Sequence, residues 1–350
     1  MSQEKLVISI DAMGGDNSPK VVIEGLSLVH KKNPDIHFLL YGDETKILKE
    51  MSKFPALKDA CEIFHTEEFV TNDDKPSHVI RNRATSMYQA IDAVKQGKAQ
   101  AVVSAGNTGA LMAISKMVLK TIQKIHRPAI VSIMPHEQGR YVMLDLGANT
   151  ECDGINLAEF CIMGNIYAKC ALNLKEPRVA LMNIGAEEMK GKDEIHAAAH
   201  ILKNSHLNLN FIGYIEPHEI PHNKADVIVA DGFSGNIALK SVEGTCYLIM
   251  KLIKNSIKTS LLAKIGIPFF YGVFKKLKKT MDPRLYNGAM LVGLNGLSVK
   301  SHGGTDAFGF SVAVENAAKL VANDFIGSIR RELENIDLDE LSQEAYYEVY

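Results

Sequence analysis

Short apolar runs alternate with amphipathic stretches along nearly the whole chain. The stretches have helical periodicity, whereas the runs are rich in β-branched residues and are predicted to be strands. The predicted strands cover residues 6–10, 37–41, 101–103, 130–133, 142–146, 179–183, 210–213, 227–230 and 290–292. Strands that alternate with helices form βαβ units. The pattern therefore predicts an α/β fold with three α/β/α layers and a mainly parallel sheet.

The sequence shows little sign of division into separate domains. No Pro- or Ser-rich linker, repeat or low-complexity tract interrupts it, so we predict a single catalytic domain over residues 1–335. A helical hairpin is predicted to project from this domain between about residues 237–282. Residues 336–350 are predicted to form an acidic C-terminal tail.

Composition places the chain among ordinary globular proteins, with 46% hydrophobic and 23% charged residues. The formal net charge of -2 argues against a nucleic-acid partner. Five scattered cysteines without a CxxC pair indicate reduced thiols rather than a disulfide or zinc framework. The N-terminus lacks a signal-peptide pattern and no apolar run is long enough to span a bilayer, so we expect a cytoplasmic protein.

Four glycine-rich turns follow predicted strands and open into predicted helices, at residues 11–17, 104–109, 231–236 and 302–306. Glycine at a helix start lets backbone N–H groups approach an anion, and the helix dipole favours negative charge there. One such turn alone is better explained as an ordinary cap, and Ser18 with Pro19 is predicted to cap and start the first helix. Because parallel strands end at one edge of a sheet, we expect the four turns to converge on one phosphate or oxyanion site.

Other motifs in the sequence give weaker evidence of function. No turn has dinucleotide-binding or Walker A spacing, so a nucleotide is not indicated. Residues 218–222 fit HExxH, but Pro217 and Pro221 would break the helix that this zinc motif needs. Lys190 lies in a turn after another predicted strand, where it is either part of a solvated charge cluster or a cation for an anionic substrate.

Six motifs in matching order closely resemble the bacterial phosphate acyltransferases that use acyl-acyl carrier protein. They are DAMGGD (11–16), SAGNTG (104–109), LDLGAN (144–149), NIGAEE (183–188), DGFSGN (231–236) and HGGTD (302–306). The resemblance runs from residue 5 to about residue 325. It implies a fold like phosphotransacetylase and isopropylmalate dehydrogenase, a homodimer, and neither a metal nor an organic cofactor.

The resemblance also implies an activity and its residues. A fatty acyl group would move from acyl carrier protein to inorganic phosphate, and a membrane glycerol-3-phosphate acyltransferase would consume the acyl phosphate in phospholipid synthesis. Lys190 and Asn236 would be the catalytic pair. The implied substrate- and phosphate-binding residues are Asp11, Gly14, Gly15, Ser104, Gly106, Asn107, Thr108, Gly109, Asp231, Ser234, Gly235 and His302.

A basic segment stands apart from the acidic remainder of the chain. Residues 251–284 carry nine Lys or Arg and one acid, Asp282. A helix beginning near Pro268 would place Phe270 and Phe274 on one face. Its opposite face would carry Lys275, Lys276, Lys278 and Lys279. Dimer packing, docking of acyl carrier protein and attachment to anionic lipid remain open, and we favour lipid or carrier-protein contact over packing.

The preceding helix is interpreted differently. Its apolar side chains at Leu239, Val242 and Ile249 are predicted to be core or dimer contacts.

Two other functions are compatible with the sequence. A short-chain acyl-CoA phosphotransacylase would need a similar phosphate site. A non-catalytic, membrane-associated ligand-binding protein would need no catalytic pair. A β-decarboxylating dehydrogenase is less well supported, because no nicotinamide fingerprint is present.

Overall fold

The computed structural model describes residues 6–187, 190–204, 207, 209–259, 269, 270, 272, 275, 276 and 282–334. Its strands are β1 (Val7–Asp11), β2 (His37–Gly42), β3 (Cys61–His65), β4 (Ala101–Ser104), β5 (Ala129–His136), β6 (Gly139–Leu144), β7 (Arg178–Met182), β8 (Asn210–Ile215), β9 (Val227–Val229), β10 (Ala289–Val292) and β11 (Leu297–Lys300). The α-helices with described bounds are α1 (Lys20–Lys32), α2 (Glu44–Met51), α3 (Pro76–Val79), α4 (Ser86–Lys95), α5 (Thr108–Leu119), α6 (Gly154–Leu172), α7 (Asp193–Asn204), α8 (Gly232–Thr259), α9 (Ala307–Ala322) and α10 (Phe325–Leu333).

These strands form one eleven-stranded sheet in the order β3-β2-β1-β4-β11-β10-β5-β6-β9-β7-β8. Successive residues of a strand point to opposite faces, so Val103 joins one core cluster and Val102 joins another. Helices α1, α6 and α9 pack on the first face, whereas α4 and α5 pack on the second. The predicted three-layer α/β/α fold is confirmed, and all nine predicted strands are present.

The sheet reverses direction near its middle. Strand β10 is antiparallel to both β11 and β5, and β5 is antiparallel to β6. The strands on either side of this region are parallel among themselves. Strands β6, β9 and β7 therefore run opposite to β1, β4 and β11, so their carboxyl ends lie at the other end of the sheet.

The helix α6 packs closely on the strands beyond this reversal. Asp153 caps it by accepting from the Asn156 backbone N–H at 2.9 Å, and Asn156 completes a capping box. Nearly all of the helix is buried, and a Cβ at Gly164 would lie 2.6 Å from Val227 of β9. Glycine at this position lets the helix approach the sheet closely.

The helix α8 leaves the body of the protein. Leu239 packs against the core, as one of the two interpretations of this helix expected, but Val242 and Ile249 are exposed in the single chain. A core role for Val242 and Ile249 is therefore wrong, and dimer contact stays a prediction. The predicted second arm of the hairpin lies largely outside the described residues, as does the predicted tail. None of the helices described is long and apolar enough to cross a membrane.

Candidate functional site

A buried carboxylate organises the first group of predicted site residues, which we call the Asp11 cluster (Asp11, Gly14, Gly15, residues 104–109, Lys300 and His302). Asp11 ends β1 and is 1% exposed. Its Oδ1 accepts from Ser86 Oγ and its Oδ2 accepts from Ser104 Oγ, both at 2.7 Å. Burial raises the pKa of Asp11, and these hydrogen bonds oppose the increase. Ser104 Oγ in turn accepts from the Gly106 N–H at 3.0 Å, so Asp11 holds the turn that precedes α5.

The first glycine-rich turn packs directly on this one. A Cβ at Gly14 would lie 2.6 Å from both Asp11 Oδ2 and Gly106 N, and Gly15 has a φ of +104°. Neither position can carry a side chain without displacing its neighbours. The prediction that Ser18 caps the next helix is wrong, because Pro19 is the N-cap and the Ser18 hydroxyl donates to the Gly14 carbonyl.

A cavity of about 360 Å³ opens beside these turns. It is lined by Asn72, Ala105, Gly106, Asn107, Thr108, Gly109, Lys300, His302 and Gly303. Asn107 caps α5 by accepting from the Ala110 N–H at 3.0 Å, and its Nδ2 donates to the Asn72 carbonyl at 3.1 Å. The structure thus brings two of the four predicted turns, 104–109 and 302–306, to one cavity.

Lys300 is a cavity residue that the sequence analysis missed. It ends β11, is largely buried, and donates to the Ala105 carbonyl at 3.4 Å and to the Ser301 carbonyl. Burial lowers the pKa of Lys300 to about 8, while the charges of Asp16 and Asp11 oppose the decrease. The only signal in the sequence was its position two residues before the 302–306 motif.

A second buried carboxylate, Asp145, organises the other predicted residues. Its Oδ1 accepts from the Ile130 N–H at 2.9 Å and the Ala148 N–H at 3.0 Å. Its Oδ2 accepts from the backbone and side-chain N–H groups of Asn149 at 2.7 and 2.9 Å. Burial raises the pKa of Asp145. A Cβ at Gly232 would lie 2.5 Å from the Asn149 carbonyl oxygen, so the 231–236 turn rests on the turn that Asp145 holds.

We call this second group the Asp231 cluster (Asp145, Gly147, Lys190, Lys192, Asp231, Ser234, Gly235 and Asn236). Asp231 accepts from the Ser234 N–H at 2.7 Å and from its hydroxyl at 3.0 Å, and Lys192 Nζ lies 3.3 Å from Asp231 Oδ2. Gly147 has a φ of +130°, and a Cβ there would lie 3.7 Å from Asn236. Gly147 and Lys192 therefore both lie beside the start of α8.

Lys190 lies two residues before Lys192, and its side chain is 52% exposed. Its Nζ is 3.0 Å from Glu187 Oε1, and this hydrogen bond lowers the pKa of Glu187. Asn183 Nδ2 donates to the Lys190 carbonyl at 2.7 Å, which fixes the end of the loop. Large apolar side chains nearby are open to solvent, since Ile184 is 74% exposed and Phe233 is 61% exposed.

The two clusters do not converge within one chain, so the prediction of a single site for all four turns is wrong. The end of β9 is five strand positions from the end of β4, a separation of about 24 Å at about 4.8 Å per strand. The turns also leave the sheet at opposite ends, because β5 and β6 are antiparallel. Asp231, Ser234, Gly235, Lys190 and Asn236 thus form a group separate from the cavity.

The HExxH segment does not form the continuous α-helix that this zinc-binding motif requires. Residues Pro217–His222 form a 3₁₀ helix. His218 lies 3.6 Å from Glu216, whereas His222 lies 3.7 Å from Glu137, so the two imidazoles face different carboxylates.

Solved structures of phosphotransacetylases share this fold. One from Streptococcus pyogenes aligns with a TM-score of 0.61 at 17% identity, covering 91% of this chain and 95% of that one. The EutD phosphotransacetylase from Staphylococcus aureus aligns with a TM-score of 0.58 at 15% identity, covering 92% and 94%.

Sequence relatives are much more similar. A phosphate acyltransferase from Paramagnetospirillum magneticum is 48% identical over 338 residues, 96% of each chain. A phosphate acyltransferase from Rhodospirillum centenum is 50% identical over 331 residues, 94% of this chain and 93% of that one. Residues 6–328 match the family described as fatty acid synthesis protein. The chain therefore belongs to the fatty acid synthesis protein family, and the relatives it resembles are named phosphate acyltransferases.

Proposed function

We propose that this protein transfers a fatty acyl group from acyl carrier protein to inorganic phosphate, producing acyl phosphate for phospholipid synthesis. The family and the name of its relatives support acyl transfer to phosphate. The observation that carries the proposal is the cavity of about 360 Å³ in which a glycine-rich helix start meets a lysine and a histidine. A turnover assay with phosphate and an acyl carrier protein thioester tests it.

The phosphate site is the cavity of the Asp11 cluster. The first N–H groups of a helix have no intrahelical acceptor, so those of Thr108 and Gly109 can donate to an anion. A Cβ at Gly109 would lie 2.9 Å from Pro76, so the first residue of α3 closes one side of the turn. Phosphate held here is itself the nucleophile, and the mechanism needs no Ser or Cys intermediate.

The catalytic pair is Lys190 and Asn236. As the phosphate oxygen attacks the thioester carbonyl, negative charge develops on the carbonyl oxygen. The Asn236 amide N–H donates to that oxyanion and the Lys190 ammonium stabilises it electrostatically. The C–S bond then breaks and the pantetheine sulfur leaves as a thiolate, which needs little protonation.

A homodimer brings together two clusters that lie far apart in one chain. The pair lies about 24 Å or more from the cavity of the same chain, too far for the pair to act on a bound phosphate. A second copy can place its own Lys190 and Asn236 at the cavity of the first. The exposed apolar side chains beside the pair support this arrangement, since Phe233 and Ile237 are 61% and 50% exposed and contact with a second copy would bury them.

The basic segment contacts the membrane. Phe269 and Phe270 are 86% and 59% exposed, and Lys275 and Lys276 are exposed. Phe274, Lys278 and Lys279 lie outside the described residues. Apolar side chains with flanking lysines suit a boundary of anionic lipid. A cytoplasmic enzyme bound peripherally in this way would release acyl phosphate close to a membrane glycerol-3-phosphate acyltransferase.

A short-chain acyl-CoA phosphotransacylase is the second candidate, and the fold shared with phosphotransacetylases favours it. Both thioesters supplied in parallel separate the two functions. Preference for the carrier-protein thioester supports the first function, and preference for acetyl-CoA supports the second.

A further inference from the structure

Lys300 is a largely buried ammonium group with incomplete charge compensation. Its Nζ donates to two carbonyl oxygens, those of Ala105 and Ser301. In the part of the chain that the structure describes, no carboxylate oxygen lies within 4.0 Å of it. An ammonium has three N–H donors, so two carbonyl acceptors leave one donor for a further partner.

The two carboxylates whose charges act on Lys300 make hydrogen bonds to other groups. The two carboxylate oxygens of Asp11 accept hydrogen bonds from the hydroxyls of Ser86 and Ser104. Asp16 Oδ1 accepts from Asn72 Nδ2 at 2.9 Å. Both carboxylates therefore act on Lys300 only over a longer distance, in the direction of keeping it charged.

A buried charge without a counter-ion costs free energy, so folds keep one only where a partner compensates for it. Here the charge lines a cavity whose other walls offer the free N–H groups of a helix start. A small oxyanion in this cavity would complete the third hydrogen bond of Lys300 and neutralise its charge.

We propose that Lys300 Nζ binds the inorganic phosphate that accepts the acyl group. The identity of the anion rests on the proposed function. The presence of an anion site rests on the geometry of Lys300 and of the cavity that it lines. Lys300 is thus a phosphate-binding residue that sets the affinity for the nucleophile, whereas Lys190 and Asn236 act on the carbonyl oxygen.

This role makes phosphate affinity sensitive to pH. The titratable groups around Lys300 are Asp11 from β1, Asp16 from the turn after it, and His302, which also lines the cavity. With a pKa of about 8, Lys300 is charged at neutral pH and loses its proton as the pH rises through 8. We expect the KM for phosphate to rise above pH 8 in the wild type and to stay flatter in Lys300→Arg, whose guanidinium does not titrate there.

The test compares Lys300→Met, Lys300→Arg and a control, Lys319→Met, which removes a lysine bonded to the Ala171 carbonyl in a distant part of the fold. Lys300→Met should raise the KM for phosphate about 10- to 100-fold, the effect of losing a charged hydrogen bond. The KM for the acyl donor should not change. Lys300→Arg should recover part of the affinity, and Lys319→Met should match the wild type.

A second readout needs no turnover. Inorganic phosphate should raise the Tm of the wild type and of Lys319→Met, but not that of Lys300→Met. Without phosphate, Lys300→Met should be at least as stable as the wild type at pH 7, because a desolvated charge has been removed. If Lys300→Met does not fold, Lys300→Gln provides the same comparison.

Two results would overturn the proposal: an unchanged KM for phosphate in Lys300→Met, whatever its kcat, or a phosphate-induced Tm shift in Lys300→Met equal to that of the wild type. A Tm shift that depends on Lys300 in a protein without turnover would keep the anion site and reject the proposed function.

Discussion

Asp11 Oδ2 and Ser104 Oγ lie 2.7 Å apart at the buried ends of two adjacent parallel strands. This hydrogen bond links the end of β1 to the 104–109 turn, which borders the cavity. Asp11→Ala would leave the Ser86 and Ser104 hydroxyls without their acceptor, at about 1–3 kcal/mol for each buried group. We expect a lower free energy of unfolding in urea and a higher KM for phosphate. Asp35→Ala, at an exposed carboxylate, is the control, and equal behaviour of the two variants would remove Asp11 from the site.

Gly106 is predicted to tolerate no side chain without loss of phosphate affinity. A Cβ there would lie 2.8 Å from Met87 Cε and 3.2 Å from Ser104 Oγ. The methionine end can move, so Gly106→Val should fold, but its turn should shift away from the anion. We expect the KM for phosphate to rise about tenfold, a loss of about 1.4 kcal/mol of binding. The control is Gly139→Ala, whose new Cβ would lie at an ordinary contact distance of 3.4 Å from His136. Phosphate saturation of Gly106→Val that matches this control would exclude the turn.

Lys190→Ala and Asn236→Ala should each lower kcat by about 100- to 1000-fold, the usual effect of removing an oxyanion donor. Their melting temperatures should change little, since the Lys190 side chain is half exposed and Asn236 is only partly buried. Lys240→Ala, at an exposed lysine of α8, should retain full activity. A near-wild-type rate in either site variant would show that its assigned role is wrong.

Hybrid dimers test whether the two clusters meet between chains. Mixing Gly106→Val with Asn236→Ala chains should create hybrids in which one site has both clusters intact. Random pairing in a twofold dimer would restore about a quarter of the wild-type sites at low phosphate. Recovery of activity after subunit exchange supports a site shared between two chains. If hybrid dimers form but activity does not recover, the shared site is contradicted.

The exposed aromatic pair should govern membrane contact. Phe269→Glu with Phe270→Glu should remain folded and active but should no longer sediment with anionic vesicles, because two charges replace the inserted rings. Leu48→Glu places one such charge at a half-exposed leucine elsewhere and should sediment like the wild type. Lys275→Gln with Lys276→Gln should weaken vesicle binding and reduce its salt dependence. Unchanged sedimentation, or loss of the dimer in the double Glu variant, would show that the segment is structural.

The sequence predicted the layers and strands because apolar runs such as 101–103 are buried on both faces wherever they pair. It missed β3, an edge strand with the charged Glu62 and a terminal His65, and β11, in which two of the four residues are polar. It could not predict strand direction, which depends on the pairing of β5 with β6 and not on local residue type. That reversal is the reason that residues predicted to share one site form two.

The sequence also could not predict which individual polar residues are buried. Lys300 and Asp145 have no local pattern that separates them from surface residues, and their roles depend on contacts with Ala105 and Ile130, each distant in sequence. The glycine-rich turns were predictable, in contrast, because backbone requirements at a helix start leave a signature in residue type.

The measurement that tests the central claim most directly is acyl phosphate formation by the purified protein. It would be supplied with inorganic phosphate and a long-chain acyl carrier protein thioester, with acetyl-CoA in a parallel reaction. We expect phosphate-dependent release of the carrier thiol with stoichiometric acyl phosphate, and a much slower reaction with acetyl-CoA. No acyl phosphate from the carrier thioester, in a folded protein that binds phosphate, would contradict the assignment.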